Sequence, residues 1–408
     1  MDRIYSRSIH CWGKLSEVER FCAFNRNISQ LKESVDFNAV PKTFRDLWID
    51  SLCILQDNKN DWEYESTRME QVFSSAYCTI AASSSKSSVE GFLNYREPRP
   101  CVKVETGKRT LYVCPNIDDL YRDVDLGELN SRGWVLQERA LSRRTIFYTS
   151  TQVYWECGAG VRCETLAKLQ NSKAAFLGDA KFPDSALEYY RDGRQMLVQD
   201  LYERYSGLAF TTDWDRPIAI LGLQERLARA FKTQAAFGFF STYFARLLLW
   251  KCRNRLMTCI TQQPGSSCRV PTWSWFSKVG AIQYLDLKFE QIDWAVTDFS
   301  NPFKRSVSSS PDEEKSMLRG CARKLIMTEF DMLVSVTFDE SQDFEVGKLR
   351  CVLVGCDRRE NAAGRMRYHV LIIHEISGPS GEGVYERVGV ASLKPTHVAG
   401  EGVWVDIR

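Results

Sequence analysis

One glutamate stands on a helix face that is otherwise apolar. In the segment DWEYESTRM, Glu65 follows Trp62 by three residues and precedes Met69 by four, so the three side chains share a face if the segment is helical. A carboxylate on an apolar stripe must be paired, neutralised or placed in a cavity. Two interpretations follow. Either Glu65 pairs with Arg45 or Arg68 or lies at the solvent boundary, or it is a catalytic carboxyl group whose pKa is raised beside an aromatic wall.

A second candidate lies inside the apolar run LWIDSLCIL, which contains Asp50 and Ser51. Residues 47–54 carry apolar side chains at both odd and even positions. This pattern predicts a strand of a parallel sheet that is covered on both faces. Ligands of open α/β sheets bind beyond the carboxyl ends of the strands, where Asp50 and Ser51 would lie. The alternative is that Asp50 caps a helix or accepts hydrogen bonds from the backbone. Ser83 follows the next predicted strand, 77–82, on the same side, and a flexible loop is its alternative.

A third candidate is the segment SRGWVLQER. Glu138 lies four residues after Trp134, so a carboxyl group again shares a helix face with a tryptophan. Arg132, Trp134 and Glu138 are therefore candidate binding residues. The alternative is a structural pair of arginine and glutamate that supports a core helix.

Several classes of protein are disfavoured by composition and motif content. The 408 residues carry a net charge of +2 without a basic stripe, which argues against nucleic-acid binding. Neither a phosphate-binding G-x-x-x-x-G-K-[ST] loop nor a G-x-G-x-x-G dinucleotide fingerprint occurs. A zinc site is not expected because the 14 cysteines form no C-x-x-C pair. With four histidines, a Ser-His-Asp or Cys-His site has few residues to draw on.

The chain gives no sign of export or membrane insertion. Its beginning lacks the apolar segment of a secretory signal, and several cysteines lie in apolar runs, where thiols pack as small hydrophobic groups. We therefore expect reduced cysteines and a cytoplasmic protein. The longest apolar stretch, residues 237–250, is too short to span a bilayer and contains Arg246. It is expected to be a packed amphipathic helix.

The periodicities divide the chain into four regions. Residues 1–157 predict an α/β core with a helix capped by Asn60, a helix capped by Ser131, and antiparallel strands in CVKVET, RTLYVCP and RTIFYTSTQVYWEC. Residues 158–305 predict a mainly helical region, with amphipathic pieces near 186–205, 218–231 and 237–255. It ends in VPTWSWFS, whose tryptophans are expected in the core on one face of a strand. Residues 306–316 form a Ser-rich linker, and 317–408 predict a β-rich region.

Several of these motifs, in order, resemble the fungal heterokaryon-incompatibility (HET) domain. The resemblance rests on HCWGK, on PKTFRD followed by LWIDSLCILQDNKNDWEYESTRM, and on LNSRGWVLQERALSRRTIFYTSTQVYWEC. It covers roughly residues 8–280. It implies a role in non-self recognition between fungal individuals, in which activation leads to programmed cell death. It also implies a partner protein in trans, self-association, or both.

The HET core is considered remotely similar to TIR domains, so the resemblance implies a flavodoxin-like open sheet. Some TIR domains cleave NAD at the nicotinamide–ribose bond with one glutamate. Glu65 is the position that would carry this role, with Asp50 orienting the substrate and Trp12 or Trp62 lining the nicotinamide. NAD would then be a substrate, and no cofactor or metal is expected.

Two departures from the family pattern bear on folding. Asp46 directly precedes Leu47, where HET domains usually carry a helix and a short loop, so one helix of the core is missing. The opening strand also looks degraded, because SRSIHCWG lacks an apolar lead-in. Three hypotheses therefore stand: an enzyme acting on NAD, a non-enzymatic signalling and assembly module, and a truncated inactive paralogue.

Overall fold

The computed structural model describes residues 6–9, 22–33, 49–87, 89–97, 99–107, 109–169, 183, 186, 193–254, 257–260, 270–295, 297–304, 316–341, 344–358, 366–377 and 383–408. The chain divides into two compact units. The first comprises residues 1–189 and 219–226, and the second comprises 190–218 and 227–408. The junction of Asp46 and Leu47 and the linker 306–315 lie outside the described residues. Every described helix is too short or too polar to traverse a lipid bilayer.

The first unit is a mixed α/β structure. Its described helices are α1 (Ile28–Glu33), α2 (Asp50–Cys53), α3 (Lys59–Ser75) and α4 (Gly133–Leu141). Its strands are β1 (Ser6–Ile9), β2 (Cys78–Ala81), β3 (Val102–Thr106), β4 (Arg109–Val113), β5 (Arg144–Tyr148), β6 (Val153–Cys157), β7 (Gly160–Cys163) and β8 (Lys168–Leu169).

One sheet of the first unit has the order β1-β2-β5-β6-β7-β8. β1, β2 and β5 pair in parallel, and the remaining pairs are antiparallel. The strand expected to be degraded therefore forms, since β1 pairs with β2 along its whole length. The hairpin predicted in RTIFYTSTQVYWEC is confirmed as β5 and β6.

The prediction of a strand at residues 47–54 is wrong. Ile49 has extended backbone angles, but α2 occupies Asp50–Cys53, so the parallel partners of β2 are β1 and β5. Ile49, Ser51 and Ile54 are buried. A short apolar run fits a buried helical turn as well as a strand, so its periodicity cannot separate the two.

The two long helices of this unit are confirmed, but their predicted caps are wrong. The Asn58 side chain accepts hydrogen bonds from the N–H groups of Asn60 and Asp61, so α3 begins at Lys59. Arg132 precedes α4 without capping it by its side chain, and the Ser131 hydroxyl donates to the Glu128 carbonyl at 2.6 Å instead. The buried face of α3 carries Met69 and Phe73, as its 3.6-residue period predicts.

An exposed hairpin, β3 and β4, forms as predicted, and every described residue of it is exposed. Cys101 and Cys114 flank it and form a disulfide. The expectation of reduced cysteines is therefore wrong at this pair. The two strands bring the cysteines to a Cα–Cα distance of 4.5 Å, which a disulfide can bridge.

The second unit begins with helices and ends in a large sheet. Its described helices are α5 (Arg194–Ser206), α7 (Phe244–Leu248) and α8 (Glu329–Ser335). Helix α6 (Leu221–Phe231) starts within residues 219–226 of the first unit. Short strands are β9 (Ala235–Ala236), β10 (Phe239–Phe240), β11 (Trp250–Cys252), β12 (Thr258–Cys259), β13 (Lys278–Val279), β14 (Ile282–Tyr284), β15 (Ile292–Asp293) and β16 (Phe299–Ser300).

The β-rich carboxyl-terminal region is confirmed. Its strands are β17 (Leu318–Leu325), β18 (Val336–Phe338), β19 (Leu349–Asp357), β20 (Tyr368–Ser377), β21 (Gly383–Leu393) and β22 (Val398–Ile407). They join β15 and β16 in one sheet of order β15-β19-β20-β21-β22-β17-β16. β17 also pairs with β19, so the strands from β19 to β17 in this order form a closed ring. Alternating side chains such as Leu353, Val370 and Ile372 fill its core.

The helix expected at residues 237–255 is interrupted. Among the described residues of this range, Phe244–Leu248 is α-helical and a 3-10 turn, Ser241–Tyr243, precedes it, between β10 and β11. Gly238 has a φ of +77°, and a Cβ atom there would lie 2.9 Å from the Trp275 Nε1 atom, so the chain needs glycine at this turn. Trp273 and Trp275 are fully buried, as expected for core residues, but Trp275 lies in a 3-10 turn and not in a strand.

Candidate functional site

Glu65 lies on α3 and pairs with a neighbouring arginine. Its Oε1 atom accepts a hydrogen bond from Arg68 Nη1 at 3.0 Å. The side chain of Glu65 is 20% exposed and that of Arg68 is 46% exposed. This is one of the two ion pairs that the sequence offered as the alternative to catalysis. A carboxylate with such a partner, one turn away on the same helix, has its charge compensated at the surface.

Glu138 on α4 has a different environment. Its side chain is buried, and the pKa of its carboxyl group is raised to about 8. Burial is the largest cause, the negative charge of Asp50 adds to it, and the positive charge of Arg132 opposes it. Glu138 is therefore protonated at neutral pH and can donate a hydrogen bond. Two other sequence candidates, Asp50 and Arg132, thus act on Glu138 through their charges.

Asp50 is the first residue of α2, and its position depends on that helix. Its Oδ1 atom accepts a hydrogen bond from the N–H of Ser51 at 2.7 Å, at the helix end where a negative charge is favoured. Ser51 is 1% exposed, and its hydroxyl oxygen has no hydrogen-bond partner among the described residues. An orphaned buried hydroxyl beside Asp50 is a polar group that a ligand or water could satisfy.

Two tryptophans stand next to this carboxyl pair. Trp134 precedes Glu138 by one helical turn on α4, so the two share a face. The Trp62 ring on α3 meets the Trp134 ring edge to face, with centroids 6.4 Å apart. Helices α3 and α4 thus supply an aromatic surface, and α2 and α4 supply the two carboxyl groups.

Burial and the negative charge of Asp50 favour the neutral form of the Glu138 carboxyl group. A neutral carboxyl group beside an ionised one is the arrangement in which one group donates a proton or hydrogen bond and the other stabilises positive charge. An aromatic face beside them attracts a cationic ring. The site is chemically suited to a ligand with a positively charged ring and hydroxyl groups.

Ser83 does not join this cluster, and Trp12 lies outside the described residues. Ser83 lines a separate polar cavity of about 670 Å³ beyond the carboxyl ends of β2 and β5, and neither Asp50 nor Glu138 is among the described residues that line it. This is the location that the sequence predicted for a ligand of a parallel sheet.

The walls of that cavity are fixed by hydrogen bonds to two aspartates. Asp123 accepts from Tyr154 at 2.7 Å and from Thr151. Burial opposes ionisation of Asp118, but hydrogen bonds from Gln152, Thr165 and Cys163 outweigh it, so the pKa of Asp118 is lowered. Both carboxylates are therefore satisfied by the protein itself.

Sequence reasoning missed the main ion-pair network of this unit. It placed a supporting arginine–glutamate pair within SRGWVLQER, but Arg139 reaches Glu156 on β6 and Asp125 instead. Arg139 Nε and Nη2 donate to the two Glu156 carboxylate oxygens, each at 2.8 Å. Arg139 lies among the buried residues of α4, and a buried arginine needs a carboxylate partner. This arginine could therefore have indicated the ion-pair network.

A hydrogen-bonded serine, histidine and aspartate also occur in the second unit. His369 Nδ1 lies 2.9 Å from Ser392 Oγ, and His369 Nε2 lies 3.1 Å from Asp357 Oδ1. Burial lowers the pKa of His369 against the opposing effect of Asp357. With the ring 2% exposed, the three side chains satisfy one another across neighbouring strands.

One part of the first unit is similar to a known protein family. Residues 5–138 match the family model described as Heterokaryon incompatibility protein (HET). Neither the curated proteins nor the solved structures provide a match. The matched range contains Asp50, Ser51 and Trp62 and ends at Glu138, so it covers the carboxyl pair and its aromatic wall. Residues 5–138 of the chain are therefore similar to the heterokaryon incompatibility domain.

Proposed function

We propose that this protein acts in heterokaryon incompatibility by cleaving the nicotinamide–ribose bond of NAD at the site of Asp50 and Glu138, and that NAD loss kills the fused cell. The single observation that supports this most is the environment of Glu138, in which burial and the charge of Asp50 raise its pKa to about 8. The three parallel strands β1, β2 and β5 are compatible with a flavodoxin-like or TIR-like core. This assignment moves the functional glutamate from Glu65 to Glu138.

Each residue of the site has a chemical role in this proposal. The nicotinamide ring of NAD carries a positive charge, so it would lie against Trp62 and Trp134. Cleavage of the glycosidic bond leaves an oxocarbenium-like ribose, whose developing charge the Asp50 carboxylate stabilises. Protonated Glu138 donates a hydrogen bond to a ribose hydroxyl, and Arg132 binds a phosphate.

The reaction balances with water as the second reactant. The bond between ribose C1′ and the nicotinamide nitrogen breaks, and its electron pair leaves with nicotinamide. Water adds to C1′ and gives a proton to Asp50, which returns it to solvent. The products are nicotinamide, ADP-ribose and a proton.

The first test is nicotinamide release from NAD by the full chain, followed by proton NMR. We expect Glu138→Ala to lower the rate by about 100-fold, the usual effect of removing one preorganised hydrogen-bond donor from a reaction site. Glu65→Ala is the matched control and should change the rate by less than about twofold, because an exposed ion pair contributes little. Loss of activity in Glu65→Ala with full activity in Glu138→Ala would overturn the assignment.

The pH profile separates a chemical role of Glu138 from a structural one. Activity that needs protonated Glu138 should fall as the pH rises through about 8. Glu138→Gln keeps a neutral hydrogen-bond donor, so its lower activity should not fall in that range. An unchanged alkaline limb in Glu138→Gln would show that another group titrates.

The competing function is a non-enzymatic module that signals by self-association or by contact with an incompatibility partner. One observation favours it: Val102, Val104, Leu111 and Val113 share one face of the β3–β4 hairpin, and all are exposed. No nicotinamide release from the intact protein, together with assembly in sedimentation experiments, would favour this function over NAD cleavage.

A further inference from the structure

The second unit contains a cavity of about 260 Å³ that no step of the proposed function uses. A thiol, an amine and a carboxylate from separate elements line it: Cys259 on β12, Lys278 on β13 and Glu340 after β18. The buried ion pair of Asp339 and Arg387 forms another part of its lining.

Strand pairing brings the thiol and the amine together. β12 and β13 are antiparallel, and Cys259 is the direct cross-strand partner of Lys278. Side chains at paired positions project from the same face of a sheet. Lys278 Nζ lies 3.3 Å from Cys259 Sγ, so the two atoms are already in contact.

Glu340 holds both groups in place. Its Oε1 atom accepts a hydrogen bond from Cys259 Sγ at 2.9 Å and another from Lys278 Nζ. Lys278 is 5% exposed, whereas Cys259 is exposed. A small oxidant can therefore reach the sulfur atom, while the amine stays fixed beside it.

We propose that Cys259 and Lys278 form an oxidation site, at which a hydroperoxide converts the contact into a covalent bond between Sγ and Nζ. The reactant is hydrogen peroxide or a small organic hydroperoxide. The product is a sulfenamide that joins β12 to β13 and changes the lining of the cavity.

The reaction proceeds in two balanced steps. The Cys259 thiolate attacks one peroxide oxygen, the O–O bond breaks, and the sulfenic acid and one water form after proton uptake. Lys278 transfers a proton to Glu340, and its free amine attacks Sγ. The S–O bond breaks, and the hydroxyl group takes the proton from Glu340 and leaves as a second water. The nitrogen then loses its second proton to Glu340, which passes it to solvent, and the neutral sulfenamide remains. Sulfur loses two electrons and peroxide gains two.

The protonation states determine the pH dependence. Burial and the hydrogen bond to Glu340 raise the pKa of Cys259, against the opposing charge of Lys278. Burial alone would lower the pKa of Lys278, but the hydrogen bond to Glu340 and the nearby charges raise it. The thiolate and the free amine are both scarce at neutral pH, so the reaction accelerates as the pH rises.

The test is peptide mapping of the full chain after treatment with hydrogen peroxide. Remaining peroxide is removed with catalase, free thiols are alkylated, and tryptic peptides are analysed by mass spectrometry. We expect one species that joins the peptides of Cys259 and Lys278, with a mass about 2 Da below their sum. A thiol reductant should release it.

Variants locate the bond. Lys278→Arg keeps the charge beside Glu340 but lacks the primary amine, so the linked species should decrease at least about tenfold. Lys348→Arg, an exposed lysine paired with Glu345, is the matched control and should leave it unchanged. The proposal is wrong if Cys259 in the wild-type chain is recovered only as free thiol, sulfinic acid or sulfonic acid with Lys278 unlinked.

Discussion

At the scale of single residues, two glutamates with the same local pattern have opposite environments. Glu65 and Glu138 each share a helix face with a tryptophan, yet Glu65 pairs with Arg68 and Glu138 is buried near Asp50. Periodicity predicts which face a side chain occupies, but not the depth of that face in the folded chain. The site could thus be predicted as a set of candidates, while the choice among them required the burial of Glu138 in the folded chain.

Glu138 makes stability depend on pH. Its pKa is about 8 in the folded chain, against an ordinary value of 4.5. The folded state holds a proton that the unfolded chain releases above about pH 4.5. The stability contributed by neutral Glu138 is therefore fully present below pH 4.5 and is lost as the pH rises to about 8.

Substituting Glu138→Gln should remove this dependence. Between pH 5 and pH 8 we expect the free energy of unfolding of the wild-type chain to fall by about 2–4 kcal/mol more than that of the variant. Urea unfolding at a series of pH values measures the difference. Parallel pH profiles of the two proteins would contradict a raised pKa at Glu138.

At the scale of elements, the sequence predicted those helices and hairpins whose periodicity is long and regular. Helices α3 and α4, the β3–β4 and β5–β6 hairpins, and the β-rich carboxyl-terminal region are of this kind. The short apolar run at residues 47–54 was assigned wrongly because burial of a helical turn and of a strand requires the same residue types. The sequence also did not predict the partner of Arg139, because Glu156 lies on a different element, β6, and not in the same helix.

Helix α4 is held to β6 by Arg139, whose side chain is 1% exposed. We expect Arg139→Ala to lower the free energy of unfolding by about 3–5 kcal/mol, because Glu156 would stay buried without its partner. Arg96→Ala, which breaks the more exposed pair with Glu164, should cost no more than about 1 kcal/mol. Equal losses in the two variants, measured by urea unfolding, would show that burial does not decide the strength of these pairs.

At the scale of the whole molecule, the chain leaves the first unit, enters the second, and returns for residues 219–226. Local patterns do not reveal such a return, because every local signal in this segment only predicts a helix. In the first unit, the returning segment packs against α3 and α4. The Leu223 N–H donates to Gln137 Oε1 at 3.1 Å, and a Cβ atom at Gly222 would lie 3.0 Å from the Glu70 Cβ atom.

Gly222 tests whether this contact supports the first unit. We expect Gly222→Val to lower the free energy of unfolding by about 1–3 kcal/mol, as overpacked interiors do. Gly107→Val is the control, because no atom lies within 4 Å of a Cβ at that position. Thermal unfolding followed by circular dichroism compares the variants, and an unaffected Gly222→Val chain would mean that residues 219–226 are dispensable for the unit.

Because residues 219–226 belong to the first unit, recombination can transfer that unit incompletely. Recombination that transfers only residues 1–189 would carry the matched family region and Glu138, but it would leave behind the segment that bonds to Gln137. A gene fusion that transfers the whole first unit to a new protein therefore includes two separate stretches of coding sequence.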